Sequence, residues 1–544
     1  MANRRVITTL ALAILVSALA GGFFGPRAQA TEDQVDTHYR TFTAALAAIE
    51  SQYAGKVESD RIVYSAINGM LLTLDPHSSF LDPRSYAQMR ERQEGRYYGL
   101  GLSIAVVDGD IQVATIFEGS PAFRKGIRRG DVIAKIENES TKGWTSEQAV
   151  ARLKGPKGTT VDISLRRRGF DELIPMTVER DEIHIATIRG AFMVDERTAY
   201  IRVNDFSETT NRDLGRAITD LQNKGMKQLL IDLRDNPGGP LDQAIRISNR
   251  FLTRGDMIVY TRGRVRNSEQ DYRAMEETTV PDNIPLIVLV NRNSASASEI
   301  IAGALQDHDR ALVVGERTFG KALVQSVYRI SEGAGLALTT ARYYTPSGRL
   351  IQRPWDGTFD EYLTYTLREQ QAEREHNAKD LRYTDGGRQV YAGGGIEPDR
   401  HMAGPVEGFN PSRLGRTLWA RQTFQDFAQR FTAEGDERIS GGKNRRNIKP
   451  GFQVDDAMVA EYKKFLIDEE RVKMDEAAWT ADSAFIRGMI RFGIDEALFG
   501  IDVARRRLLA DDPQAQFALN QFGEAEKLSR LSQNKRTTAS RQPQ

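Results

Sequence analysis

No cysteine occurs in the 544 residues. That excludes a disulfide framework, a thiol nucleophile and thiolate-held zinc or iron–sulfur centres. An excess of charge is missing too: 75 Lys and Arg stand against 74 Asp and Glu, a net of +1, so there is no basic footprint for nucleic acid. Histidine is sparse, with six in all: His38, His77, His184, His308, His376 and His401. None belongs to a His-Glu-x-x-His helix that would carry a catalytic metal. Beyond residue 30 no apolar stretch is long enough to span a bilayer.

What is present begins at the N-terminus. Arg4 and Arg5 precede an apolar run from Val6 to Phe24, followed by Arg27-Ala28-Gln29-Ala30, an Ala-x-Ala site. Residues 1–30 read as a secretory signal peptide, with an uncleaved inner-membrane anchor as the alternative. The mature chain is expected to be soluble, exported to the periplasm and free of nucleotide cofactors. Its length predicts more than one domain.

Residues 31–95 form a helical N-terminal segment. Val35, Tyr39, Phe42, Leu46, Ile49 and Tyr53 recur in alternating steps of four and three, the seam of an amphipathic helix. A second helix follows Ser59 and ends at Leu74-Asp75-Pro76-His77, because the residue before proline leaves the helical region. Such a seam suits packing within the protein or pairing of two chains.

Residues 96–182 follow a different pattern. Tyr98-Gly99-Leu100-Gly101-Leu102 opens a strand, Asp108-Gly109 makes a two-residue hairpin, and Ser120-Pro121 starts a short helix. Gly126 to Ile133 reads Gly-Ile-x-x-Gly-Asp-x-Ile, and Thr145-x-x-Gln148 caps a helix bearing Val150. This order resembles a PDZ domain, a β-sandwich-like module. The resemblance implies that Gly99, Leu100, Gly101 and Leu102 form a carboxylate-binding loop, with the helix at 146–154 and Val150 walling a groove. Loop N–H groups can hold a peptide's terminal carboxylate while the strand edge takes the peptide as an extra strand.

From 183 to 402 strands and helices alternate, which predicts α/β layering. Strand 228–233 leads into Arg234-Asp235-Asn236-Pro237-Gly238-Gly239, and strand 285–290 leads into Asn293-Ser294-Ala295-Ser296. Strand C-termini in such sheets are where sites form. Ser296 precedes a helix, where backbone N–H groups can hold a developing oxyanion. Ser296-x-x-Glu299 is equally a capping box, and both readings stay open at this point. A hydroxyl nucleophile needs a base. No histidine sits in a pattern that pairs with Ser296, and Lys321 in Thr318-Phe319-Gly320-Lys321 is the other candidate. To act as a base it must be neutral, a fall of over ~3 units from about 10.4 that burial beside Phe319 could supply. A solvated loop lysine is the bland alternative.

Several motifs are similar to those of the carboxy-terminal processing proteases, which are tail-specific serine proteases. They are Asn291 to Gln306, Thr318–Gln325, Leu233–Gly239, Leu74–Ser78 and Gly393-Gly394-Gly395-Ile396-Glu397-Pro398-Asp399, in order across 33–402 with the PDZ-like module between them. The resemblance implies a secreted or periplasmic serine endopeptidase with Ser296 as nucleophile, Lys321 as base and Gln325 orienting the lysine. It places the oxyanion hole at the N–H of Ala297 and of Gly238, with Gly239 as the second choice, and requires no metal or cofactor. Four residues of strand span about 13 Å, so Lys321 and Gln325 touch only if the backbone turns between them. Where the family often has glycine after the lysine, this chain has Ala322.

Residues 403–526 read as a helical extension, with helices over 414–433, 454–473, 480–508 and 512–532 and with Trp419, Phe424, Phe427 and Phe431 as core. Residues 527–544 read as a disordered basic tail. The whole is a multidomain α/β chain. Expected partners are protein or peptide substrates with free C-termini, a second copy through the terminal helices, and an adaptor or activator protein, but not nucleic acid. A PDZ scaffold without catalysis and a His-dependent PDZ protease are the rival readings.

Overall fold

A computed structural model describes residues 36–167, 170–330, 333–355, 361–362, 364, 376–406, 408–433 and 448–539. The signal segment read over 1–30, and nearly all of the charged stretch 361–374, lie outside the described residues. The chain divides into two compact units, Met1–Asp75 and Pro76–Gln544. In the first, residues 36–52 and Ser59–Leu72 are helical. Part of the apolar seam is exposed, at Tyr39, Phe42 and Ile49 on the first helix, Tyr53 just beyond it and Met70 on the second, whereas Leu46, Ile62 and Ile67 are half-buried and Leu71 is buried. Among the described residues, no helix is long and apolar enough to cross a membrane.

In the second unit the PDZ-like module forms one antiparallel sheet. Its strands run in the order Leu102–Val107, Asp110–Ile116, Val132–Ile136, Thr160–Arg166 and Ile174–Glu179. Leu102–Val107 is an edge strand with no fully buried residue, its outer side left unpaired. Helix Ser146–Leu153 carries the full Thr145/Gln148 capping box and buries Ala149 and Leu153 against Ile133, Ile136 and Leu165.

A six-stranded sheet runs in the order Ile188–Met193, Thr198–Val203, Gln228–Asp232, Leu286–Val290, Leu312–Gly315 and Arg400–His401. The first pair is antiparallel and the rest are parallel. Leu286–Val290 is buried at every residue, which is why it reads as an unbroken apolar run. One face packs on helices Thr210–Asn223, Leu241–Asn249 and Ala297–Asp307 through Leu214, Ile218, Ala244, Ile301 and Leu305. The opposite face is covered by the C-terminal helices, where Leu509, Ala515, Ala518, Phe522 and Leu528 pack on Leu230, Ile287, Leu289 and Val314.

A second, antiparallel sheet brings together Ser79–Leu81, Met257–Arg262, Gln270–Arg273, Leu323–Arg329 and Gly335–Tyr344. The Gly393–Asp399 motif follows a short strand Gln389–Tyr391 and opens with a glycine turn, Gly393, Gly394 and Gly395 all being at positive φ. Three of the long C-terminal helices are interrupted, and the one expected over 512–532 splits into Pro513–Leu519 and Phe522–Ala539. Gln422 (φ 59) separates Arg413–Ala420 from Thr423–Ala433, and Gly500 (φ 88) separates Ser483–Phe499 from Ile501–Asp511. Phe424, Phe427 and Phe431 are core, but Trp419 is 58% exposed and belongs to the surface. The tail is not disordered from 527. A helix runs Phe522–Ala539, and Leu528 and Ser529 are buried because they dock beside the sheet.

Candidate active site

The turn after Leu286–Val290 is held from both sides. Asn291 N–H donates to the Ser294 hydroxyl (2.9 Å), which donates to Leu233 O (2.8 Å). Ala295 N–H and the Ser298 hydroxyl both donate to Asn236 O (3.0 and 3.1 Å). Asn291 and Asp235 exchange two bonds, Asp235 N–H to Asn291 Oδ1 (2.9 Å) and Asn291 Nδ2 to Asp235 Oδ1 (2.8 Å). Ser294 and Ser298 are therefore clamps on the neighbouring 233–236 turn.

This clamping forces Ser296 to φ 55, ψ −112, a backbone conformation that costs a non-glycine residue on the order of 1–3 kcal/mol. A strained strand-to-helix turn of this kind lifts a serine hydroxyl clear of the helix that follows. It arises here without a Gly-x-Ser-x-Gly motif. Gly238, at φ 98, makes room for it: a Cβ there would lie 2.8 Å from Ser296 Cβ and from Ala295 O, and 2.9 Å from Ala297 N. At Gly239 a Cβ would strike Phe206 O instead. The Gly238 N–H donates to Asn236 Oδ1 (2.9 Å). Among the described residues no acceptor takes the N–H of Ala297 or of Gly239.

Lys321 is brought to the same place by one buried carboxylate. Glu299 Oε2 accepts from Ser296 N–H (2.8 Å) and Lys321 N–H (2.9 Å); Oε1 accepts from Gly320 N–H and the Thr318 hydroxyl (both 2.6 Å). Two amides that share one acceptor atom are no further apart than the sum of those two bonds. Burial pushes the Glu299 carboxyl up to about 7. Phe319 N–H donates to Ser294 O (2.9 Å), and the Tyr343 hydroxyl donates to Lys321 O (2.5 Å) with Ser296 O 3.2 Å away.

The outer side of the loop is set by the glycine turn at 393–395. Thr318 N–H donates to Ile396 O and Ile396 N–H to the Thr318 hydroxyl. Gly320 (φ 89) and Gly395 (φ 100) pack too closely for a side chain at either. The Arg353 guanidinium lies over the rings of Phe319 and Tyr362 at 4.4 and 4.7 Å. Lys321 is partly buried among these groups.

Gln325 is placed differently. The register slips between Val324 and Gln325, a bulge that locally bends the strand. Its amide donates to the Thr339 hydroxyl (3.2 Å) on the adjoining strand. His308 lies at the far end of helix Ala297–Asp307, between Asp385 Oδ2 (2.7 Å) and Met257 O (2.6 Å). His77 reaches the site indirectly: its Nε2 meets the Tyr362 hydroxyl (2.9 Å), which accepts from Gln352, whose Oε1 accepts from Ala322 N–H.

In the PDZ-like module Leu100 O accepts from Ala122 N–H, and Gly101 O from Phe117 N–H and the Ser120 hydroxyl. The carbonyls of the loop are thus turned into the domain. Among the described residues no acceptor takes the N–H of Leu100 or Gly101. Gly101, at φ 77, leaves no space for a Cβ against Ser120.

With the geometry in place, comparison with known proteins decides the family. The model of Peptidase family S41 matches residues 197–358, and that of the PDZ domain matches 88–166. The chain is 41% identical over 308 residues to the carboxy-terminal-processing protease of Bartonella bacilliformis, covering 56% of this chain and 70% of that one. The chain belongs to the carboxy-terminal processing proteases of family S41. It is also 34% identical over 349 residues to the carboxy-terminal processing protease CtpA of Bacillus subtilis, covering 64% and 74%. Among solved structures, a photosystem II D1 C-terminal processing protease matches at 26% identity, covering 66% and 92%, with a TM-score of 0.34.

This protease is therefore a serine peptidase with a PDZ domain and a mixed α/β core, and the non-catalytic scaffold reading is set aside. The Glu299 link and the Tyr343 bridge were not read from sequence. Glu299 had a local signal, its capping-box position. Tyr343 had none, because it comes from the end of a strand 47 residues from Ser296.

Proposed function

We propose that Ser296 is the nucleophile and Lys321 its general base. Neutral Lys321 takes the Ser296 proton, the alkoxide attacks a peptide carbonyl, and Lys321 then protonates the leaving amine before water resolves the acyl-enzyme. The oxyanion would rest on the Ala297 N–H and on the 238–239 turn. Gly238 lies against Ser296, while Gly239 has the uncommitted amide. Gln325 would assist Lys321 by turning from Thr339 across the bulge.

The observation that carries this reading is the convergence of the Ser296 and Lys321 amides on Glu299 Oε2. The PDZ loop, with its amides outward beside an open strand edge, would bind substrate C-termini. Export to the periplasm belongs to the same proposal, as does pairing through the exposed seam of the N-terminal helices or engagement of an activator. Casein digestion by wild type, Ser296→Ala and Lys321→Ala tests the chemistry. Both variants are expected to be inactive with unchanged folding, and full activity in either refutes the assignment.

A further inference from the structure

Behind the Ser296 turn, between the carboxyl ends of the parallel strands and the C-terminal helices, lies a cavity of about 1180 Å³. Two walls differ in chemistry. The helical wall is apolar, with Phe409, Pro411, Phe485, Met489, Phe492 and Leu508. The strand wall is rich in arginine, further arginines come from the helices, and the charges over the whole lining leave a surplus. The acids on this lining are already engaged: Asp235 by Arg202 and Asn291, Glu316 by Arg292, Asp512 by Arg234 and Asp511 by Arg491.

Arg189, Arg416 and Arg505 have no ion-pair partner among the described residues. Arg505 is half-buried, with its stem beside Gly190, the residue after Arg189. Burial pulls its guanidinium down, Asp502 attracts it, and the nearby Arg189 charge repels it by less, with attraction from Glu496 weaker still. Arg189 and Arg416 are exposed at the cleft and Arg189 lies close enough to the half-buried Arg505 to repel it, an arrangement that favours an anion between the two, and guanidinium forks match carboxylate oxygens.

We propose that this cavity is a second carboxylate-recognising site, distinct from the PDZ groove, which takes a peptide with apolar side chains and a free C-terminal carboxylate. The carboxylate lies on Arg189 and Arg505, with Arg416 at the rim, and the side chains lie on the helical wall. This rests on the reading that the enzyme handles peptides with free C-termini. Such peptides are both its substrates and its products, since each hydrolysis creates a new terminal carboxylate. Asp235, Asn291 and Asn293 line the cavity and also brace the Ser296 turn, so an occupant touches the residues that hold the nucleophile's backbone.

Photo-crosslinking of the full-length Ser296→Ala chain tests this. The probe is an apolar peptide carrying a photoreactive side chain near a free C-terminus, compared with its C-terminal amide. Adducts are expected on 409–411 and 485–492 as well as in the PDZ groove. Amidation should reduce both sets about tenfold, whereas Arg189→Gln/Arg505→Gln should reduce only the cavity set. The exposed Arg416→Gln variant, which leaves the fold untouched, should weaken cavity labelling severalfold. Cavity labelling that is absent, or that survives amidation, overturns the proposal. So does a thermal shift produced by inorganic phosphate with no peptide labelling, which would mark a phosphate site. Retained casein cleavage by Ser296→Ala would instead strike the proposed mechanism and leave the crosslink map to stand by itself.

Discussion

Replacing Glu299 by Gln tests the coupling of the two catalytic loops. The carboxylate accepts two hydrogen bonds at each oxygen. An amide keeps one acceptor and turns the other position into a donor. Set at Oε2, the NH2 group would face two N–H donors, from Ser296 and Lys321. Set at Oε1, it faces the Gly320 N–H and the Thr318 hydroxyl, which can accept. The second orientation costs less and leaves the Gly320 amide buried without a partner, about 1–3 kcal/mol. Against this, the variant no longer buries a charge. The rise of the Glu299 pKa from 4.5 to about 7 corresponds to about 3 kcal/mol for the ionised group. The two effects oppose, so stability near neutral pH should move by less than about 2 kcal/mol.

Activity has no such compensation. Gly320 adjoins Lys321, and a shift of about 1 Å between reacting groups costs roughly 10²-fold. The expected result on a fluorogenic peptide is a kcat lowered roughly 10²-fold with KM changed less than about threefold. The pH dependence has a definite sign. The carboxyl is raised in the folded state, so wild type is favoured by its proton below pH 4.5 and loses that contribution as pH climbs to about 7. The Gln variant lacks this decline, so chemical denaturation from pH 5 to 8 should show the two stability curves diverging. Parallel curves, or a variant kcat within about twofold of wild type, would refute the coupling.

Gly238→Ala places a methyl against Ser296 and Ala297 at φ 98. It should cut peptide hydrolysis by at least about 10²-fold, read against a circular dichroism control. Tyr343→Phe removes the hydroxyl joining the Lys321 and Ser296 carbonyls, with about tenfold lower kcat and a loss of about 1 kcal/mol in urea unfolding. His308→Ala should keep kcat within about twofold; a loss matching that of Lys321→Ala would revive a histidine mechanism. Burial pulls His308 down, but Asp385 and the Met257 carbonyl outweigh it and hold it raised. Its stabilisation is therefore present below pH 6.5, fades as pH rises, and should appear as a Tm difference that shrinks from pH 6 to 8. Gly101→Ala crowds Ser120 in the PDZ loop and should raise KM for tailed peptides about tenfold while sparing small esters.

The local pattern carried most of the architecture. The apolar run 285–290, the polar turn and the helix after it are where the periodicity put them, because each is specified by neighbours in sequence. Gly238 was legible as a turn residue, and only the family resemblance set it beside Ser296, because that approach depends on two strands lying side by side. The Glu299 link, whose four partners span residues 296 to 321, and Tyr343 on a separate sheet depend on such proximity too and were not legible. The apolar faces of the C-terminal helices were visible in sequence, but not that Leu509, Ala518 and Leu528 face the catalytic sheet. The helix breaks at Gln422 and Gly500 were missed because the periodic pattern runs through both positions. Trp419 shows the opposite failure, a large apolar residue in step with a core stripe yet left at the surface.

The C-terminal helices have a practical consequence for anyone shortening this enzyme. The family match stops at residue 358, and a fragment trimmed there would strip Leu230, Ile287, Leu289 and Val314 of their cover. A sheet bared on one side is a template for aggregation, and it would fail before the catalytic loops were ever assembled. Expression fragments need to extend past Leu528, and inactivity of anything shorter would report lost solubility, not lost chemistry.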